Sequence, residues 1–239
     1  MSPPTPALPI HVEPQPTDSS CGPTCLQAVY RHFGLELPLD HLIAAIPSVA
    51  GGGTLAVMLG IDALRRGFRA LLQTCNLRVL DPTWFPSRPA ALAARIDASL
   101  TVRRHRKERQ ELRALREFID RGGEVRMEPL TREVLRNHLA RDRPVPVLTG
   151  LSATFLYRDQ RVDPLTNRYD DLGGQPEGHF VVLSGYDRIT KLVTVHDPWI
   201  KSPFADPHRY QVHIDRLINA ILLGVLTFDA NLLVIRPRQ

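Results

Sequence analysis

The sequence predicts an α+β protein with its helices first and its strands later. Apolar residues recur at three- and four-residue spacing from Cys21 to Leu139. Short apolar runs rich in β-branched residues take over after Val145. Helical and strand-like stretches are therefore segregated rather than alternating, the pattern of an α+β layout. At 239 residues the chain can bury a substantial core as a single domain spanning residues 1–239.

Residues 1–14 are proline-rich and aperiodic, and read as an extended arm. Residues 15–75 form the helical half. Cys25, Leu26, Val29, Tyr30 and Phe33 give a helical rhythm that Gly34 ends. A short helix follows from Pro38 to Ile46 and stops at Pro47. Gly51-Gly52-Gly53-Thr54 turns the chain into another helix, with Leu55, Met58, Ile61, Leu64 and Phe68 on one face. Ala70 to Thr74 reads as a strand, and residues 77–89 as a proline-punctuated loop.

Residues 90–121 read as one long basic helical insertion. Its middle is Arg103-Arg104-His105-Arg106-Lys107-Glu108-Arg109. Thr131 caps a further helix to Leu139, with Glu133 in its first turn. The sheet half, 144–239, holds a strand at 145–149, a polar loop at 158–178 and two strands bearing His179 and Asp197. A helix near 214–223 and a strand at 232–235 complete it.

Composition narrows the function classes. Hydrophobic residues make up 43% and charged residues 23%, ordinary values for a globular protein. The net charge of +5 leans towards acidic partners. The apolar run Ala220–Leu226 falls far short of the roughly 20 helical residues that span a bilayer, so no membrane association is expected. Met1-Ser2-Pro3-Pro4 lacks the basic and apolar regions of a secretory signal. Three cysteines without a close-set framework suit a reduced, cytoplasmic protein. Glutamates at 108, 111 and 117 interleave with the arginines of 103–116, which reads as a salt-bridged solvent face, and no aromatic side chains are placed for base stacking. Nucleic acid is therefore not expected as a partner.

Four residues carry the candidate chemistry. Cys21 stands where Gly22-Pro23 opens the first helix. Helix N-termini and neighbouring imidazolium groups favour the thiolate, which is the nucleophilic form of cysteine. Gln15, six residues earlier, would read alone as a solvated loop residue. Its spacing before Cys-Gly suits a side-chain amide that donates to an oxyanion. His179 begins an apolar strand directly after Gly178. A turn at Gly185-Tyr186-Asp187 would return the chain and bring Asp197 beside it, as the group that orients the ring. His196 lies on the opposite strand face from Asp197, and Asp187 falls in the turn, so both are set aside. Cys25, one turn after Cys21, reads as a small buried hydrophobe, and Cys75 as core. A zinc site on Cys21, Cys25 and His179 lacks a second pair at ligand spacing. No metal and no cofactor are expected.

Gln15, Cys21-Gly22 with Cys25 and Leu26, Phe33-Gly34, Gly53-Thr54, His179-Phe180-Val181-Val182 and Asp197-Pro198 together resemble the double-glycine-leader peptidases, bacterial cysteine peptidases that process bacteriocin precursors. The resemblance covers the first seventy residues and roughly 145–200. It implies a papain-like fold, with a helix carrying the cysteine packed on an antiparallel sheet carrying His and Asp. It also implies Cys21 as nucleophile, His179 as base, Asp197 as orienter and Gln15 in the oxyanion hole. Ser20 stands where those peptidases commonly have an acidic residue, and the arginine-rich segment lengthens the gap between the two halves. The expectation is a cysteine peptidase acting on a peptide or isopeptide bond of a peptide or protein substrate through a thioester. Acyl transfer by the same residues, or peptide binding without turnover, are the alternatives.

Overall fold

The computed structural model describes residues 7–49, 52–140 and 143–238. Residues 1–6 of the expected arm, Gly51 of the expected turn and Gln239 lie outside the described residues. The rest of the arm is extended and tied down. The Leu8 amide donates to the Ser184 carbonyl at 2.9 Å, and Ile10 and Val12 are buried.

Helix α1, Cys21–His32, begins at the cysteine, and Gly34 follows it at φ +82°, a conformation that suits glycine at a helix end. Helices α2, Leu39–Ala45, and α3, Ala56–Arg65, come next. The sequence pattern carried α3 on to Phe68. Instead Gly67, at φ +86°, reverses the chain, and Phe68 is the first residue of β1, Phe68–Thr74.

The single helical run expected over 90–121 is two helices, α4, Pro89–Val102, and α5, Arg106–Asp120. A straight helix of that length would extend about 48 Å and could not lay both apolar stretches on one core. The break at 103–105 lets Leu92 and Ile96 of α4 and Leu112, Leu115 and Phe118 of α5 enter the same cluster. The Arg109 guanidinium holds the junction by donating to the carbonyls of Leu100 and Arg103. The outer face is ion-paired through Arg103–Glu108 at 3.3 Å and Arg116–Asp97 at 3.1 Å, but Glu111, expected on that face, is buried and accepts from the Asn76 side-chain amide at 3.1 Å.

The remaining elements are β2, Glu124–Arg126; α6, Arg132–Leu139; β3, Val147–Ser152; α7, Ala153–Tyr157; β4, Gly178–Tyr186; β5, Leu192–His196; β6, Arg209–His213; α8, Ile214–Leu223; and β7, Asn231–Pro237. Thr131 caps α6, accepting from the Val134 amide at 3.4 Å. The short elements β2, α7 and β6 were not expected from the sequence.

The strands form one seven-stranded sheet in the order β2-β1-β7-β3-β4-β5-β6. Every pairing is antiparallel except β1 with β2. Both faces are covered. Phe180, Val182 and Leu233 pack into a cluster with Leu26 of α1, Leu59 of α3 and Phe118 of α5. Val181, Leu183, Val195 and Val234 join Leu135 of α6 and Leu217 and Ile221 of α8 on the other side. Burial on both sides explains why β4 reads as a continuous apolar run rather than an alternating one. The α+β expectation is met, with the cysteine helix packed on an antiparallel-dominated sheet. Among the described residues no helix is long and apolar enough to cross a membrane.

Candidate active site

Cys21 is the first residue of α1 and is 7% exposed. Ser20, at the N-cap, does not cap the helix. Its hydroxyl donates to the Thr17 carbonyl at 2.9 Å and accepts from the Thr17 amide at 3.0 Å. The first turn contains no acidic side chain, and Pro23 has no N–H to offer. The amides of Cys21 and Gly22 are thus the helix donors available around the sulfur. A side chain on Gly22 would come within 3.3 Å of Leu59 and 3.4 Å of Phe180, so glycine there lets the start of α1 sit close to β4.

Cys25 is fully buried and its thiol donates to the Phe180 carbonyl at 3.3 Å. Burial raises its pKa well above the ordinary thiol value, with Cys21 and Asp197 adding to the effect. It is a neutral thiol that fastens α1 to β4, in line with its reading as a small buried hydrophobe.

The β4–β5 hairpin forms as predicted, with Val182 opposite His196 and Tyr186 opposite Val193. It brings His179 and Asp197 together, with His179 Nε2 2.8 Å from Asp197 Oδ1. Asp197 is completely buried and accepts three further hydrogen bonds. The Trp199 amide donates to Oδ1 at 2.9 Å, and the hydroxyls of Tyr157 and Tyr210 donate to Oδ2 at 2.7 and 2.6 Å. Burial alone would raise this carboxyl's pKa. The His179 charge and hydrogen bond, with Tyr210 and Trp199, outweigh that and hold it below the usual value. For His179, burial opposes protonation, but the charge and hydrogen bond of Asp197, followed by those of Cys21, raise its pKa. Nε2 is engaged by Asp197, which leaves Nδ1 as the ring nitrogen for the sulfur.

Tyr157 and Tyr210 are the members of the site that the sequence reading missed. Tyr157 ends α7, a five-residue helix too short to show periodicity. Tyr210 lies on β6, whose burial alternates exposed and buried. The alternation Arg209-Tyr210-Gln211-Val212-His213 was the signal that could have revealed it. Burial raises the pKa of both phenols, and the Asp197 charge adds to it, so both remain hydrogen donors.

Gln15 is held beside the same strands. Its backbone amide donates to the Pro198 carbonyl at 3.0 Å. Its side-chain Nε2 donates to the Thr17 carbonyl at 2.9 Å, which uses one of its two N–H groups. The groups set aside lie elsewhere. His196 is hydrogen-bonded to the Ser184 hydroxyl at 2.8 Å, and burial lowers its pKa to about 4. The Asp187 carboxylate holds the hairpin turn, accepting from the amides of Ile189 at 2.7 Å and Thr190 at 3.2 Å. Among the described residues no group of three or more His, Cys, Asp or Glu could hold a metal ion.

Two clefts flank His179. One, of about 340 Å³, is lined by Cys21, Gly53, Thr54, Phe180 and Asp229. The other, of about 330 Å³, is lined by Gln15, Thr154, Tyr157, Tyr169 and Trp199. Asp18, Glu177, Gly178 and His179 border both. An extended chain could lie across this junction with its backbone over the sulfur.

Residues 117–213 match the model of the Peptidase_C39 like family. The matched span contains Tyr157, His179, Asp197 and Tyr210, and leaves Gln15 and Cys21 outside it. The resemblance read from the sequence therefore holds in the half that supplies the imidazole and the carboxylate. Among curated proteins none matches this chain. Among solved structures, the peptidase domain of Streptococcus ComA, a bi-functional ABC transporter involved in quorum sensing, aligns with a TM-score of 0.45 and 12% identity, covering 95% of this chain and 98% of that one. Xylellain, a cysteine protease from Xylella fastidiosa, aligns with a TM-score of 0.43 and 15% identity, covering 98% of this chain and 85% of that one.

Proposed function

We propose that this chain is a papain-like cysteine peptidase that cleaves a peptide or isopeptide bond through a thioester on Cys21. The observation that carries the reading is the line from Cys21, at the uncapped start of α1, to His179 and on to Asp197, fixed by two tyrosines. A carboxylate with four donors stabilises a protonated imidazole, and an imidazolium beside a sulfur favours thiolate.

In the first half-reaction the Cys21 thiolate attacks the substrate carbonyl. The negative charge that develops on the carbonyl oxygen is met by the Cys21 amide and by the second N–H of Gln15. His179 then gives its proton to the leaving amine, the C–N bond breaks, and the acyl group remains on sulfur. In the second half-reaction neutral His179 takes a proton from water as the water oxygen attacks the thioester, and the thiolate leaves. An amine in place of water would turn the same cycle into acyl transfer. Asp197 touches no reacting atom and acts as a positioning residue for the ring. Three free cysteines suit the reduced cytoplasm.

The test is alkylation by iodoacetamide under mildly acidic conditions, read by peptide mass spectrometry. Cys21 is expected to react well ahead of Cys25 and Cys75, and a rapid acid quench during turnover of a peptide substrate should leave an acyl adduct on Cys21. Equal, slow labelling of all three thiols would leave a peptide-binding protein without turnover.

A further inference from the structure

A separate groove of about 890 Å³ lies over the end of the sheet where β1, β2 and β7 meet, bordered by Val134 of α6. It shares no lining residue with the two clefts beside His179. The register sets Arg69 of β1 directly opposite Arg236 of β7, and both line the groove with Arg238. Like charges facing one another across neighbouring strands destabilise the pair. None of these three arginines has a carboxylate partner among the described residues, whereas Arg126, also in the groove, is ion-paired with Glu124.

A second observation comes from the floor. Gln73 is 5% exposed, yet its Nε2 is buried with no hydrogen-bond acceptor. A buried donor without a partner costs stability unless something supplies an acceptor. An oxyanion relieves the surplus positive charge at the arginine end of the groove; Gln73, four residues along β1 from Arg69 and beyond Leu71, lies outside its reach.

We propose that this groove binds a small molecule bearing a diphosphate, held by Arg69, Arg236 and Arg238, with its organic part over Leu71 and Val234. Guanidinium forks match phosphoryl oxygens two at a time. Three guanidiniums without carboxylate partners carry more charge than one phosphoryl group neutralises, which suits two linked phosphoryl groups. Glu124 and Glu128 stand on the lining and oppose a long polyanion, and among the described residues no Phe, Tyr or Trp lines the groove for stacking bases. The site is independent of the peptidase chemistry, so either reading can fail without the other.

The experiment is isothermal titration of the full chain with inorganic pyrophosphate and with ADP, using glutarate as a dicarboxylate control. Pyrophosphate should bind one to one, at least tenfold tighter than glutarate, and ADP at least as tightly as pyrophosphate. The double variant Arg69→Gln, Arg236→Gln should lose at least tenfold in affinity, while Cys21→Ala binds as the parent does. Without ligand the double variant should melt no lower than the parent, because a repulsion has been removed, and this shows that it folds. No saturable binding of pyrophosphate, equal affinity in the double variant, parity with glutarate, or weaker binding of ADP would each overturn the proposal. So would tight binding of a single-stranded oligonucleotide that pyrophosphate fails to displace.

Discussion

The Tyr210 hydroxyl reaches Asp197 Oδ2 at 2.6 Å, on the oxygen that His179 does not use. Tyr157 meets the same oxygen at 2.7 Å. The carboxylate that orients the ring is therefore oriented in turn by two phenols from separate elements. Removing either phenol should act on the reaction through His179 rather than on substrate binding.

Tyr210→Phe is expected to lower kcat with little change in KM, and to destabilise the fold by about 1–3 kcal/mol, the usual cost of taking a partner from a buried charged acceptor. Asp197 has a depressed pKa in the folded state. Its contribution to stability is present above the ordinary carboxyl pKa and is lost as pH falls through the folded value. Tyr210→Phe should raise that folded value, so acid unfolding followed by circular dichroism should begin at higher pH. An unchanged acid transition would count against the role given to this hydroxyl.

The two cysteines of α1 make a paired test. Cys21→Ala should abolish turnover while melting close to the parent. Cys25→Ala should keep measurable activity and melt lower, because it loses the thiol contact with the Phe180 carbonyl and leaves a small void beneath the helix. Activity assays and thermal denaturation on both variants decide the matter, and the reverse pattern would exchange the roles of the two sulfurs.

On the proposed reading, His179 should govern the alkaline limit. Its folded pKa lies above the ordinary histidine value, so the proton it passes to the leaving amine is held until pH rises through that raised value. Asp197→Asn removes the charge chiefly responsible for the elevation. The alkaline limb of the kcat/KM profile should then move to lower pH, and the rate at the optimum should fall. A limb that stays in place would assign it to another group.

His196 behaves in the opposite sense. Burial lowers its pKa to about 4, against an ordinary value near 6.5. Between those values the unfolded chain takes up a proton that the folded chain refuses, so stability is lost as pH falls from about 6.5 towards about 4, by up to about 1.4 kcal/mol per pH unit. His196→Gln, which can keep a hydrogen bond to Ser184, should flatten the stability curve across that window in urea titrations. A slope equal to the parent's would show that the burden lies elsewhere.

Gly178→Ala offers a geometric check on the cleft. A Cβ at this position would lie 1.9 Å from Asp229 Oδ2 and 2.7 Å from the Thr227 hydroxyl, so both side chains must move. The adjoining His179 would be disturbed, and kcat/KM should fall by roughly tenfold or more, as small misplacements of reacting groups do. Parent-like activity would mean that this wall of the cleft yields freely.

Much of this arrangement is legible in the residues themselves. Cys21-Gly22-Pro23 announces a helix start, and the apolar run from Phe180 to Leu183 returning at Val193 to Val195 announces the hairpin that joins His179 to Asp197. What was hidden depends on contacts distant in sequence. Tyr157 sits on an element too short to carry a period, and the alternation around Tyr210 marks a strand without naming its partner; only the folded sheet brings the two to one oxygen. The split between α4 and α5 was hidden for a related reason. Helical spacing continues through Arg103, and only the need to bury Ile96 and Phe118 in one cluster forces the bend. Phe68 keeps the rhythm of α3, although Gly67 one residue earlier decides its conformation.

The sulfur is furnished by the layer on one side of the sheet, whereas the phenols that steady Asp197 arrive from segments bordering the other. Loosening of the layer that carries α1 would part Cys21 from His179 before the chain has fully unravelled. On the proposed reading, hydrolysis would thereby be tied to an intact molecule.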